Sequence, residues 1–220
     1  MTGMANFNLN VILTAVDDGL AEAWRRFCGD FPNVTVHQGS IFDVACDALV
    51  SPANSFGFMD GGIDMLYSVR LGWHVQFRLQ RIIKERHHGE LLVGTADIVP
   101  TEVPGFPYLI AAPTMRVPMA LGNTVNPYLA ARAVLLLIKH GKFMTGTLAG
   151  QPISDSVHTV AFPGLGTGVG GVGPNMCAHQ MRLALDEVVG ETGAYPASWA
   201  DAARQHKKMY LEHLGESECQ

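Results

Sequence analysis

Apolar and polar positions along this chain switch repeatedly between two patterns. Residues 10–16 form a short apolar run rich in β-forming side chains, the mark of a buried strand. Asp17-Asp18 then opens a helix that runs to Cys28 and stops at Gly29. Residues 34–38 and 47–51 read as two further strands, the second followed by a loop of small and turn-forming residues over 52–62. Between Asp64 and His88 the period becomes helical: Leu71, Val75, Leu79, Ile82 and Ile83 share a face, and Gly72 marks a break. Strands are predicted at 90–99, 107–113 and 156–162. Asn126-Pro127 opens a helix that ends at Gly141. Another helix starts at Pro174 and places Cys177, Met181, Leu185 and Val188 on one side, and a polar helix follows over 197–214.

Strands alternating with helices predict a three-layer α/β/α sandwich with a mixed, mostly parallel sheet. The body spans residues 1–190, with 191–220 as a C-terminal helical extension. In such folds ligands bind outside the carboxyl ends of the strands. Both glycine-rich loops leave strands at that end.

Composition narrows the classes. Hydrophobic residues are 48% and charged residues 16% of the 220-residue chain, against about 25% charged in a typical domain, which excludes a disordered chain. The net charge of −5 argues against bulk attraction to polyanions, so a nucleic-acid partner is not expected. Arg78, Arg81, Lys84 and Arg86 read as a solvated helix face, with nucleic-acid contact as the minor alternative. Cys28, Cys46, Cys177 and Cys219 form no CxxC pair and the histidines no HExxH, so no metal and no cofactor are implied. His87-His88 reads as a helix-end pair. The longest apolar run, 133–138, is too short to span a membrane, and residues 1–4 lack the start of a secretory leader; a cytoplasmic protein with reduced thiols is expected.

Two segments carry chemistry. Residues 164–173, Gly-Leu-Gly-Thr-Gly-Val-Gly-Gly-Val-Gly, join a strand to a helix. Such a unit offers main-chain N–H groups and a helix N-terminus to an anion, and a diphosphate is the natural guest; a flexible surface loop is the alternative. It is not a Walker loop, because no lysine follows. Residues 47–64, DALVSPANSFGFMDGGID, are the second.

With these two segments in order, the chain resembles the macrodomains, which bind ADP-ribose. Their D-A-I-V-N-A-A-N and G-G-G-V stand here as D-A-L-V-S-P-A-N and D-G-G-I, and their F-P and T-G-V-Y-G as Phe162-Pro163 and residues 167–171. Residues 94–99 and 108–110 match the middle strands. The resemblance spans about residues 33–190. It implies ligand contacts at Ser40, Ile41, Ala53, Gly61, Gly62 and Ile63, and at Gly166, Thr167, Gly168, Val169 and Gly170. The family's mono-ADP-ribosyl hydrolases have an Asp ten positions after the last Asn of the first motif, and Asp64 stands there relative to Asn54. By the resemblance Asn54 holds the distal ribose and Asp64 orients or polarises the attacking water; both are implied to be catalytic. A carboxylate suits that chemistry, since it stabilises oxocarbenium-like charge and serves as a base.

Other roles stay open at this point. Asp64 follows Gly-Gly and could cap a helix, Asn54 could form an Asx turn, Asp60 is a second, lesser candidate for the acid, and Asp47 reads as a structural cap at a strand start. The chain also departs from the family pattern. Ser40 replaces the adenine-recognising Asp, Ser51 the first Asn and Gly170 an aromatic; Phe56, Phe58 and Tyr67 are candidates to replace the missing ring. The implied partner is ADP-ribose or an ADP-ribosylated protein, and two functions follow: a hydrolase of an ADP-ribosyl derivative, or a reader that only binds.

Overall fold

A computed structural model describes residues 7–52 and 54–210. Its strands are β1 (Asn10–Ala15), β2 (Val34–Gln38), β3 (Ala48–Ser51), β4 (Asp97–Val103), β5 (Phe106–Ala111) and β6 (Thr159–Phe162). They form one six-stranded sheet in the order β2-β1-β6-β3-β5-β4. Every pairing is parallel except β4 with β5. β1, β3 and β6 lie inside the sheet and are covered on both faces, which is why their sequences read as apolar runs.

Side-chain alternation separates two cores. Val11, Leu13, Ala48 and Val50 pack against α1 (Asp18–Cys28), α4 (Asn126–His140) and α5 (Pro174–Val188). Leu49, Leu109 and Ala111 pack against α2 (Gly62–Leu71) and α3 (His74–Arg86). The fold is a three-layer α/β/α sandwich with a mixed, mostly parallel sheet. The break between α2 and α3 falls at Gly72, whose φ of +97° favours glycine. A last helix, α6 (Trp199–Lys207), follows the sandwich.

Four expectations change. Residues 90–96 are turns, in which Leu91 N–H donates to the Ser55 carbonyl and Thr95 N–H to Leu92, so the strand starts at Asp97. β6 starts at Thr159, because Asp47 Oδ2 accepts the N–H groups of both His158 and Thr159 and ties the entries of β3 and β6 together. The terminal helix is shorter than predicted: Ser198 accepts Asp201 N–H and starts it late, and residues 211–214 lie outside the described residues. The basic face of α3 is not simply solvated, since Arg78 pairs with Glu102 and Arg86 with the buried Asp97. His87 likewise reaches Asp97, at 2.8 Å.

Cys28, Cys46 and Cys177 are free and buried, and burial pushes each thiol up to about 12. Cys219 lies outside the described residues. Among the described residues no helix is long and apolar enough to cross a membrane, and no His/Cys/Asp/Glu cluster could hold a metal.

Candidate functional site

The carboxyl ends of β1, β2, β3, β5 and β6 open into a cavity of about 400 Å³. That places it at the end of the parallel sheet where α/β folds bind ligands. Of the residues implied by the resemblance, Ser40, Ile41, Asn54, Gly61, Gly62, Ile63 and Asp64 line it, as do Gly166, Thr167, Gly168, Val169 and Gly170. Ala53 lies outside the described residues.

Asp64 sits in the first turn of α2 and is only 7% exposed. Ser51, the last residue of β3, donates its hydroxyl to Asp64 Oδ1 at 2.5 Å. Burial pushes the Asp64 carboxyl up to about 7, and the Ser51 hydrogen bond acts in the opposite direction. A buried carboxyl that still faces a cavity is poised to exchange a proton near neutral pH. The helix start itself is formed by Gly61 without any side-chain cap. Among the described residues Asp64 bonds to no N–H of α2, so the cap role falls away.

The side chain of Asn54 is turned toward its own loop. Its Oδ1 accepts N–H groups from Phe56 and Phe58, and its Nδ2 donates to the Phe58 carbonyl at 2.8 Å. It therefore lines the cavity while bracing the loop that carries Phe58 and Asp60 to the rim. Of the three aromatic candidates, only Phe58 lines the cavity. Phe56 lies under the Arg116 guanidinium at 5.0 Å, and Tyr67 is buried with its hydroxyl on the Val50 carbonyl.

The glycine loop faces the cavity with its backbone. Among the described residues the N–H groups of Gly166, Thr167, Gly168, Val169 and Gly170 reach no protein acceptor. A row of free donors is what a phosphate requires. Gly170 has no room for a side chain: a Cβ there would lie 2.5 Å from the Gly166 carbonyl oxygen and 2.9 Å from Leu121 Cδ1. Leu121, anchored by its own N–H on the Gly170 carbonyl, fills that space. At Gly168, by contrast, a Cβ would meet nothing.

Ser40 is also engaged locally. Its hydroxyl accepts Phe42 N–H, while its own N–H donates to Asp43 Oδ2, closing a capping box over a short 3-10 turn. Sequence reasoning missed Val16 and Asp17 after β1 and Met115 and Pro118 after β5, which also line the cavity. Asp17 read only as a helix cap, a role it does fill by accepting Leu20 N–H. Its place at the carboxyl end of a central strand was the available signal. Met115 joins the site through a bridge to Asn54 that no local pattern announces.

A profile of the Macro domain family matches residues 50–181. An uncharacterized protein from Aquifex aeolicus (strain VF5) is 33% identical over 149 residues, covering 68% of this chain and 78% of its own. Among solved structures, the macrodomain of Mycobacterium tuberculosis DarG superposes with a TM-score of 0.55 at 21% identity, covering 70% of this chain and 90% of that one. A mutant of the Oceanobacillus iheyensis macrodomain with ADPR superposes with a TM-score of 0.58 at 16% identity, covering 96% and 97%. The family match begins inside β3, so the β1–α1–β2 part of the cavity wall lies upstream of it.

Proposed function

The chain belongs to the Macro domain family, and on that footing we propose that its cavity binds ADP-ribose and that Asp64 hydrolyses an ADP-ribosyl linkage there. One observation carries the reading: a buried carboxyl, pushed up to about 7, faces the same cavity as a row of unpaired backbone N–H groups. The diphosphate lies along residues 166–170. The base lies toward Gly39, Ser40 and Ile41, and the distal ribose toward Gly61, Gly62 and Asp64. The ADPR named with the Oceanobacillus iheyensis protein supports this choice of ligand.

In the reaction, Asp64 accepts a proton from water as the water oxygen attacks the carbon that holds the leaving group. The bond to the leaving group breaks, and that group takes up the proton that Asp64 removed from the water, which restores the carboxylate. The net change is one water added across the linkage, giving free ADP-ribose and the unmodified partner. A positioned base contributes typically 10²–10⁴-fold, most when its pKa lies near the working pH. Ser51 holds the carboxyl in one rotamer and leaves Oδ2 free for the water.

A reader that binds without turnover is the second reading, favoured by the Asn54 amide being spent on its own loop. Calorimetry with ADP-ribose, paired with a release assay on an ADP-ribosylated protein, decides between them. Binding with release supports the hydrolase, binding without release leaves the reader, and no binding removes both.

A further inference from the structure

Arg78, Arg81 and Arg86 share the face of α3 that borders a second cavity of about 330 Å³. This cavity has no lining residue in common with the first. It lies along the edge strand β4, from Ile98 to Glu102, and beside Tyr108 of β5. Its far wall is the segment 143–148 after α4.

The chemistry of this lining is one-sided. The three guanidiniums can only donate. Arg78 is fixed by the Pro100 carbonyl at 3.0 Å and by Glu102 at 2.6 Å, and Arg86 by Asp97 at 3.0 Å. Each guanidinium has five N–H donors in principle, so both keep some to spare. Arg81 has no ion-pair partner among the described residues. Across the cavity, residues 144–147 are exposed, so their backbone N–H groups and the hydroxyls of Thr145 and Thr147 are open to solvent and to a ligand alike. Glu102, already held by Arg78, is the only carboxylate in the lining.

We propose that this cavity is a second binding site, for a phosphate monoester carrying a ring, of nucleoside monophosphate size. Three guanidiniums on one wall, with Arg81 unpaired among the described residues, favour an oxyanion, and guanidiniums pair with phosphate oxygens two at a time. A volume of about 330 Å³ exceeds what phosphate alone would fill and falls in the range of small-molecule sites. Tyr108 and Phe143, with ring centroids 5.3 Å apart, supply an apolar side for the ring. The segment 143–148 borders the cavity across from α3, and the limited volume suits a compact ligand rather than a polyanion strand.

The test is a titration of AMP and of adenosine followed by amide ¹⁵N–¹H spectra. It uses the wild type, Gly168→Glu to obstruct the first cavity, and Arg81→Glu. AMP should shift amides in 78–86 and 144–148 in both the wild type and Gly168→Glu, and adenosine should not. Arg81→Glu should weaken that response by about tenfold or more, while Arg81→Lys keeps part of it. Arg81 is exposed, so neither variant threatens the fold. Shifts confined to 166–170, equal responses to adenosine and AMP, or an unchanged Arg81→Glu titration would each overturn the proposal. The amides of 166–170 report the first cavity separately, so the ADP-ribose reading can fail while this one stands.

Discussion

Ser51 and Asp64 join the end of β3 to the start of α2 through a single hydrogen bond of 2.5 Å. Both side chains are buried, and the bond is the one contact that favours the ionised carboxylate against the cost of its burial. The residue that departs from the family motif at position 51 is therefore the one that opposes the effect of burial on the acid at position 64.

Asp64→Asn should lower turnover by about 10²-fold or more, the scale of a lost base or lost electrostatic help. ADP-ribose affinity should change far less, because the amide is nearly isosteric and its Oδ1 still accepts the Ser51 hydroxyl. Release kinetics beside calorimetry on the same preparation provide the check. Turnover that survives intact would take Asp64 out of the chemistry.

The same group makes stability depend on pH. The folded carboxyl titrates at about 7, above the ordinary 3.8. Between those values the folded state holds more protons than the unfolded one, so stability falls as pH rises. The contribution is fully present below about pH 4 and is lost through pH 7, with an upper limit of roughly 4 kcal/mol. Urea unfolding at pH 5 and pH 8 should show Asp64→Asn gaining on the wild type at the higher pH. Ser51→Ala should move the Asp64 titration upward, read by ¹³C NMR of the carboxyl. It should also shift the pH–rate midpoint the same way. A midpoint that stays put would mean that Ser51 does not act through the acid.

Much of this arrangement was legible in the chain because it is local. Glycines between a strand and a helix, and a carboxylate at a fixed distance from Asn54, place themselves once the strands are read. What the chain did not disclose depends on distant partners. The role of Asp47 needs β6, whose N–H groups lie more than a hundred residues away. The bareness of Gly170 needs Leu121, brought in from the segment after β5. Asp97 looks like an ordinary strand residue until α3 delivers Arg86 and His87 to it. Residues 90–96 have strand composition but run as turns, because their hydrogen bonds go to Ser55 and to one another.

Two glycines of the loop should respond in opposite ways. Gly168→Glu should fold normally, since a Cβ there meets nothing, and should abolish ADP-ribose binding by placing a carboxylate where we propose the diphosphate. Gly170→Ala should instead lower stability by about 1–3 kcal/mol, the usual cost of overpacking, because its methyl would press on the Gly166 carbonyl and on Leu121. Melting curves and calorimetry on both variants test the contrast. A folded Gly168→Glu protein with undiminished affinity would remove the loop from the site.

Ser40 offers the last test, because restoring a charge there separates the base from the rest of the ligand. The Ser40 oxygen already accepts Phe42 N–H, so one neutral lone pair is left for an adenine amino group. Aspartate caps a helical turn as well as serine does, and its second oxygen would remain free. Charged acceptors contribute roughly 1.5–3 kcal/mol against about 1 for neutral ones. Ser40→Asp should therefore tighten ADP-ribose by up to ~1 kcal/mol, several-fold in affinity, with no gain for ribose 5-phosphate, which lacks the base. Asp43 opposes the new charge, since its Oδ2 lies on the Ser40 N–H, but it is well exposed and solvent screens the repulsion. Calorimetry with both ligands measures the difference directly. Equal changes for the two, or weaker ADP-ribose binding in a folded variant, would place the base away from Ser40 and hand its recognition to the wall formed by Val16 and Asp17.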